Sequence, residues 1–215
     1  MLVETRGARW RSAWLRHPIQ LTLAVVLAAV LTGCQSGGTA EPALQTPKQP
    51  GSPTALAVDA ADGTLLQAAG ALFRSSDQGH TWAPVPIPVN LQAASVQQVA
   101  TTRAAPDSLF AGGPGAGILR SDDHGRTWRA IGAGLPTRDV SAFAVHSFAP
   151  DTLYAWIEGQ GVFRTEDSGD QWQKMDAGPK ASVVGITHST LPGSMNTGWL
   201  YTATAQGPYL SMDCF

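Results

Sequence analysis

Two carboxylates and two histidines are the candidates for a catalytic or metal-binding role. Asp139 and Glu158 lie outside every repeated motif, and two carboxylates facing one cleft can act as acid and base in glycoside hydrolysis. His146 and His188 end similar segments, each followed by Ser, and two converging imidazoles could bind a metal or an acidic group. The alternative for the histidines is a strand-end residue that recurs because the strand recurs. We predict no catalytic residue and no metal ligand, since nothing in the sequence pairs Asp139 with Glu158.

Among the remaining candidate carboxylates outside the repeated motif, Asp107 and Asp151 are more typical of turns. Asp107 and Asp151 each follow a proline at the same position of a repeat, and such Pro-Asp pairs favour turn roles. Asp59, Asp62 and Asp176 complete this set. The chain has no P-loop and no Gly-rich nucleotide-binding turn, and we predict no cofactor.

An acidic octapeptide recurs three times at nearly constant spacing. It runs Ser/Thr-x-Asp-x-Gly-x-Thr/Gln-Trp, beginning at Ser75, Ser121 and Thr165, and a fourth copy starts at Ser211. In a tight hairpin, the Asp carboxylate and the Ser/Thr hydroxyl can accept hydrogen bonds from turn amides, and Gly supplies a positive φ. The Trp is then expected to pack against a neighbouring repeat. We therefore predict structural roles for Ser75, Asp77, Gly79, Trp82, Ser121, Asp123, Gly125, Trp128, Thr165, Asp167, Gly169, Trp172, Ser211 and Asp213.

This octapeptide resembles the Asp box, or bacterial neuraminidase repeat. The resemblance covers about residues 55–215 and implies a β-propeller like those of sialidases, xyloglucan-active glycoside hydrolases, sortilin-type receptors and photosystem II assembly factors. Sialidases also need an Arg-Ile-Pro motif and an arginine triad. The sequence has no Arg-Ile-Pro, and apart from the N-terminal segment only Arg103 and Arg138 are arginines that lie neither in nor beside a box. Sialidase activity is therefore disfavoured.

Short apolar segments between the boxes supply the strands. Each period of about 45 residues holds four β-branched or aromatic runs bounded by turn residues, which is the size of a propeller blade. The predicted fold is all-β, a partial β-propeller of about three and a half four-stranded blades over residues 55–215. We expect an incomplete ring in a shortened form of a longer propeller, since propellers usually need four to eight blades. Its open blade edge could mediate self-association.

The N-terminal segment has the features of an export signal. Four arginines precede an apolar run from Leu21 to Leu31 that is about half the length a membrane-spanning helix needs, as in a secretory signal peptide. The following Leu31-Thr32-Gly33-Cys34 resembles the bacterial lipobox, which implies cleavage after residue 33 and lipid attachment at Cys34. Residues 34–54 are rich in Gly, Ser, Thr, Pro and Gln, and are predicted to form a disordered tether. These features predict anchoring to a membrane in the bacterial cell envelope, on its extracytoplasmic side.

Composition disfavours nucleic-acid binding and excludes a disulfide-dense scaffold. The formal net charge is -2, so the chain has no basic field for nucleic acid, and two cysteines cannot build a disulfide-dense scaffold. We predict a non-catalytic, membrane-anchored binding or scaffold protein whose propeller face contacts an unknown protein or glycan. The alternative is an extracytoplasmic glycoside hydrolase of the Asp-box type.

Overall fold

Fifteen short strands make up the part of the chain that the structure describes. This computed structural model describes residues 54–91, 96–189, 191 and 198–211. The proposed signal peptide, the lipid-attachment residue Cys34, the tether through residue 53, and Asp213 lie outside the described residues. Thr54, assigned by sequence to the tether, already donates to the Ala68 carbonyl of the first sheet.

The strands form four small antiparallel sheets, each containing strands in sequence order. Blade 1 holds β1 (Ala55–Val58), β2 (Leu65–Ala68), β3 (Leu72–Ser75) and β4 (Ala83–Pro84); blade 2 holds β5 (Gln98–Thr102), β6 (Ala105–Gly113), β7 (Gly117–Ser121) and β8 (Arg129–Ala130). Blade 3 holds β9 (Val140–Val145), β10 (Leu153–Ile157), β11 (Gly161–Thr165) and β12 (Gln173–Lys174); blade 4 holds β13 (Val183–His188), β14 (Leu200–Thr204) and β15 (Gly207–Ser211).

The four sheets are arranged as the blades of a β-propeller, and the described residues contain no helix. The prediction of an all-β propeller with three four-stranded blades and one shorter blade is thus confirmed. No helix within the described ranges is long and apolar enough to cross a membrane.

Apolar residues pack between successive blades. Leu66 and Leu72 of blade 1 meet Leu119 and Trp128 of blade 2 in one cluster. Equivalent clusters join blade 2 to blade 3 and blade 3 to blade 4. Within the described residues, no apolar cluster joins blade 4 to blade 1. The core therefore lies in three blade-to-blade interfaces, each built from alternate side chains of neighbouring sheets.

Candidate functional site

The innermost strands of the four blades line one open groove of about 670 Å³. β1, β5, β9 and β13 each contribute backbone and side chains to its wall. The polar side chains on the wall are neutral hydroxyls and amides apart from one histidine: Thr54, Gln97, Gln98, Thr101, Ser141, Ser147, Thr187 and His188. The groove can therefore offer hydrogen bonds and apolar contacts, but its wall holds no carboxylate.

Side chains tie the innermost strands to one another. Thr101 Oγ1 donates to the carbonyl of Val58 at 2.8 Å, which links blade 2 to blade 1. Gln98 links blade 2 to blade 3, since its Oε1 accepts from the amide of Phe143 at 2.9 Å and its Nε2 donates to the Ser141 carbonyl. These side-chain hydrogen bonds hold the inner strands of neighbouring blades in place around the groove.

The two histidines singled out by sequence do come together. The rings of His146 and His188 stack with centroids 3.9 Å apart and an interplanar angle of 32°, and both residues are buried. His188 Nδ1 accepts from the Ser147 amide at 3.1 Å, and His146 Nδ1 accepts from the Phe148 and Ala149 amides.

The Nδ1 lone pairs of both rings are occupied by hydrogen bonds from backbone amides. This geometry suits packing between blades 3 and 4 better than joint coordination of one metal ion. Across the described residues, no group of three His, Cys, Asp or Glu side chains is placed to hold a metal.

The carboxylates outside the boxes bind local groups. Glu158 accepts from Trp156 Nε1 at 3.2 Å and from Ser182 Oγ at 2.5 Å, and the Ser182 bond is the main reason that its pKa is lowered. Asp139 accepts from the hydroxyl of Thr137. In the groove and in two further cavities formed by described residues, the wall holds at most one carboxylate. The structure therefore shows no paired acid and base in these cavities.

Four further carboxylates that sequence left as candidates lie beside arginine or histidine side chains around the boxes. Asp59, which is 1% exposed, pairs with Arg74 at 2.9 Å, and Asp62 lies 3.8 Å from the same guanidinium. Asp107 lies 3.1 Å from His124 Nε2, and Asp151 lies 3.2 Å from Arg120 Nη1. Asp107 and Asp151 occupy the same repeat position, and their carbonyls accept from the amides of His124 and Ser168.

Each described Asp box closes a turn at the end of the third strand of its blade. In the second box, the Gly125 amide donates to Ser121 Oγ at 2.8 Å, and the Thr127 amide donates to Asp123 Oδ1 at 2.8 Å. The first and third boxes repeat these two bonds at 2.8–3.0 Å through Ser75, Asp77, Gly79, Thr165, Asp167 and Gly169. Ser211 ends β15 at the position that Ser75, Ser121 and Thr165 occupy in the other blades. The described boxes therefore lie on separate blades.

Hydrogen bonds within the turn lower the pKa of all three box carboxylates. Donation from the Thr127 hydroxyl is the largest cause for Asp123, whose pKa falls to about 2. The Thr81 hydroxyl holds the pKa of Asp77 far below its ordinary value, and the Gln171 amide lowers the pKa of Asp167. The turn therefore prefers the ionised carboxylate.

We expect stability to fall in acid as these carboxylates gain protons. A folded-state pKa below the unfolded value of about 3.9 stabilises the fold above that pH, and for Asp123 this contribution is lost as the pH falls from about 4 to about 2. Urea unfolding midpoints measured from pH 6 to pH 2 test this. Asp123→Asn should be less stable at pH 6 and lose less on acidification, whereas an equal loss in both proteins would contradict the expectation.

The arginine before each of the first two boxes reaches the following blade, a contact that sequence reasoning did not identify. Arg74 Nη2 donates to the His124 carbonyl at 3.1 Å, and Arg120 Nη1 donates to Ser168 Oγ at 2.8 Å. The guanidinium of Arg120 also lies 5.4 Å from the centre of the Phe110 ring. The receiving residues, His124 and Ser168, have positive φ values of 59° and 62°. The repeated Arg three positions before the box Asp was the available signal.

Removing Arg120 should weaken the junction between blades 2 and 3. Its side chain is 11% exposed and donates to Asp122 as well as to Ser168, so Arg120→Ala should cost about 1–3 kcal/mol of unfolding free energy. Arg129→Ala is the matched control, because Arg129 is half-exposed and lies 3.9 Å from Asp122. Urea unfolding of both variants measures the difference. Equal losses would show that the contact across the blades contributes nothing.

Comparisons with known proteins agree with this architecture. The profile described as Sortilin-Vps10: Sortilin, neurotensin receptor 3, matches residues 116–214, less than half of the chain. No curated protein matches the chain.

Three solved propellers illustrate the similarity of fold. The GH74 xyloglucanase from Xanthomonas campestris has a TM-score of 0.60 and 19% identity, with 77% of this chain and 29% of that chain covered. The GH74 enzyme from Niastella koreensis has a TM-score of 0.59 and 16% identity, with coverages of 78% and 29%. The RRP9 WD40 repeats have a TM-score of 0.51 and 17% identity, with coverages of 71% and 44%. The chain thus spans less than a third of the GH74 structures, and at these identities the likeness shows a β-propeller fold alone.

Proposed function

We propose that this chain is a non-catalytic binding or scaffold propeller whose central groove receives a neutral segment of a protein or a glycan. The observation that carries the proposal is the wall of the groove, which presents hydroxyls, amides and backbone groups from four blades but no carboxylate. Hydrogen bonds between the innermost strands pre-organise this wall, which lowers the entropic cost of binding.

The place of action in this proposal is the extracytoplasmic side of a bacterial membrane. The apolar run from Leu21 to Leu31 and the Cys34 that follows it support this location, because a diacylglycerol anchor on that thiol and a Pro- and Gly-rich tether would hold the propeller near the membrane surface. Labelling with radioactive palmitate, compared between the wild type and Cys34→Ala, tests the anchor. Palmitate label that persists in Cys34→Ala would contradict lipid attachment at Cys34.

Capture of partners from solubilised membranes tests the groove. Ser141→Arg and Thr187→Arg place a bulky charge on the neutral wall and should reduce capture at least tenfold, with an unchanged melting temperature. Val89→Arg is the control, because Val89 is 88% exposed and lies outside the groove. Capture that survives in both groove variants would contradict the proposal.

The glycoside hydrolase alternative requires an acid and a base near one sugar. The similarity of fold to GH74 enzymes keeps it as the second candidate, whereas the separate local bonding of Glu158 and Asp139 does not favour it. Hydrolysis of a polysaccharide that Asp139→Asn or Glu158→Gln abolishes would establish the alternative.

A further inference from the structure

Every internal junction of the propeller pairs two different kinds of blade face. We call the face toward the following blade the leading face, and the face toward the preceding blade the trailing face. Between blades 1 and 2, the leading face presents Leu66 and Leu72, and the trailing face presents Leu119 and Trp128. Between blades 2 and 3, the corresponding residues are Phe110, Ile118, Phe163 and Trp172. The junctions are therefore head to tail.

The leading face of blade 4 has residues at the equivalent positions, but no described blade packs against them. In strand register, Tyr201 pairs with Leu210 as Leu66 pairs with Arg74 in blade 1. The residues equivalent to Tyr201 in blades 1 to 3 are 0% exposed, whereas Tyr201 is half-buried and Leu210 is 52% exposed. Val184 of the adjoining strand is 71% exposed. This face is apolar and open.

The trailing face of blade 1 is also exposed, and it is the kind of face that a leading face covers. Alternation along β1 turns Ala55 and Ala57 toward blade 2, so Leu56 and Val58 lie on the trailing face, where they are 63% and 54% exposed. Trp82 occupies the box position of Trp128 and Trp172 but is less buried than either. The face thus offers the same type of surface that the leading faces of blades 1 and 2 cover.

We propose that the leading face of blade 4 docks on the trailing face of blade 1 of a second copy of this chain, so that two copies close on each other through two such junctions. Among the described blades, one face of each kind has no described cover, and the fold joins those two kinds in its internal interfaces. A heterologous contact of this type closes when the rotation between copies allows it.

The residue at position 210 fits a contact between separate chains. Blades 1 to 3 carry an arginine there, and in blades 1 and 2 it hydrogen-bonds to the turn of the following blade. Leu210 has no such donor, so the junction it forms rests on apolar burial, like the cores of obligate dimer interfaces. Leu56, Val58, Val184 and Leu210 add no charge that such burial would have to desolvate.

Sedimentation velocity of the full chain in density-matched detergent tests the proposal. At micromolar concentration, the wild type should sediment with the protein mass of two chains. Leu210→Glu and Val58→Glu should each shift the distribution to one chain, because each variant buries a charge at both junctions. Val89→Glu, away from both faces, should remain a dimer.

Mixing the two face variants separates head-to-tail pairing from other modes of association. One junction between a Leu210→Glu copy and a Val58→Glu copy contains no introduced charge, so the mixture should recover part of the two-chain species. A monomeric wild type would overturn the proposal, and so would a dimer that either variant leaves intact. A monomer whose melting temperature falls in Leu210→Glu would place a segment of the same chain over this face, which also contradicts docking of a second copy.

Discussion

Replacing Trp128 with Ala should lower the unfolding free energy by about 3–5 kcal/mol. The indole is 9% exposed and packs with Leu66 and Leu72 of the preceding blade. Its Nε1 donates to the Gly125 carbonyl at 3.1 Å, so the truncation also leaves that carbonyl without this donor. The loss should appear as a lower urea midpoint, because the cavity opens in an interface where two sheets meet and neither can collapse alone.

Trp82→Ala is the matched control, since it removes the same residue of the same motif. Trp82 also donates to its box glycine at 3.1 Å, but its ring is less buried because no described blade covers it. Its truncation should cost about 1–2 kcal/mol in dilute solution. A loss of unfolding free energy under about 1 kcal/mol for Trp128→Ala would show that the indole is not part of the core.

Gly169→Ala should cost about 2–5 kcal/mol, which combines the strain of a left-handed conformation with overpacking. Gly169 has a φ of +91°, and an added Cβ would lie 2.2 Å from the carbonyl oxygen of Ile131 in blade 2. That oxygen accepts the hydrogen bond from Trp172 Nε1 at 2.9 Å. The methyl group would therefore separate blade 3 from blade 2 and break the bond between them.

Gly159→Ala isolates the conformational part of this cost. Gly159 has a φ of +71°, but an added Cβ would have no neighbour within 4 Å. Its replacement should cost about 1–2 kcal/mol. If the urea midpoints of the two variants are equal, contact with Ile131 plays no part in the stability of the junction.

The sequence was sufficient for the propeller fold because each blade repeats the same local chemistry. Apolar alternation predicts the strands, and the box glycines predict turns with positive φ at residues such as Gly125. The residue before each box glycine is also left-handed, as at Ser168, and no side-chain type marked that position. Local patterns thus predicted the element types better than the details of each turn.

Contacts between blades could not be predicted in the same way. Arg120 reaches Ser168 across 48 positions, and the stacking of His146 on His188 depends on how two inner strands are placed. The repeat aligned the two histidines but left both packing and metal binding open. The groove likewise arises only when four strands from separate blades curve around one space. These features depend on tertiary arrangement, which periodicity alone does not fix.

We propose that the boxes stabilise the blades while the inner groove binds the partner. Capture by Asp123→Asn from solubilised membranes, at a temperature where the variant remains folded, tests this claim most directly. The variant should melt at a lower temperature because the amide nitrogen that replaces Oδ2 cannot accept from the Thr127 hydroxyl, and its capture of partners should equal that of the wild type. Loss of capture with an unchanged melting temperature would contradict the account, since the box carboxylate would then take part in recognition.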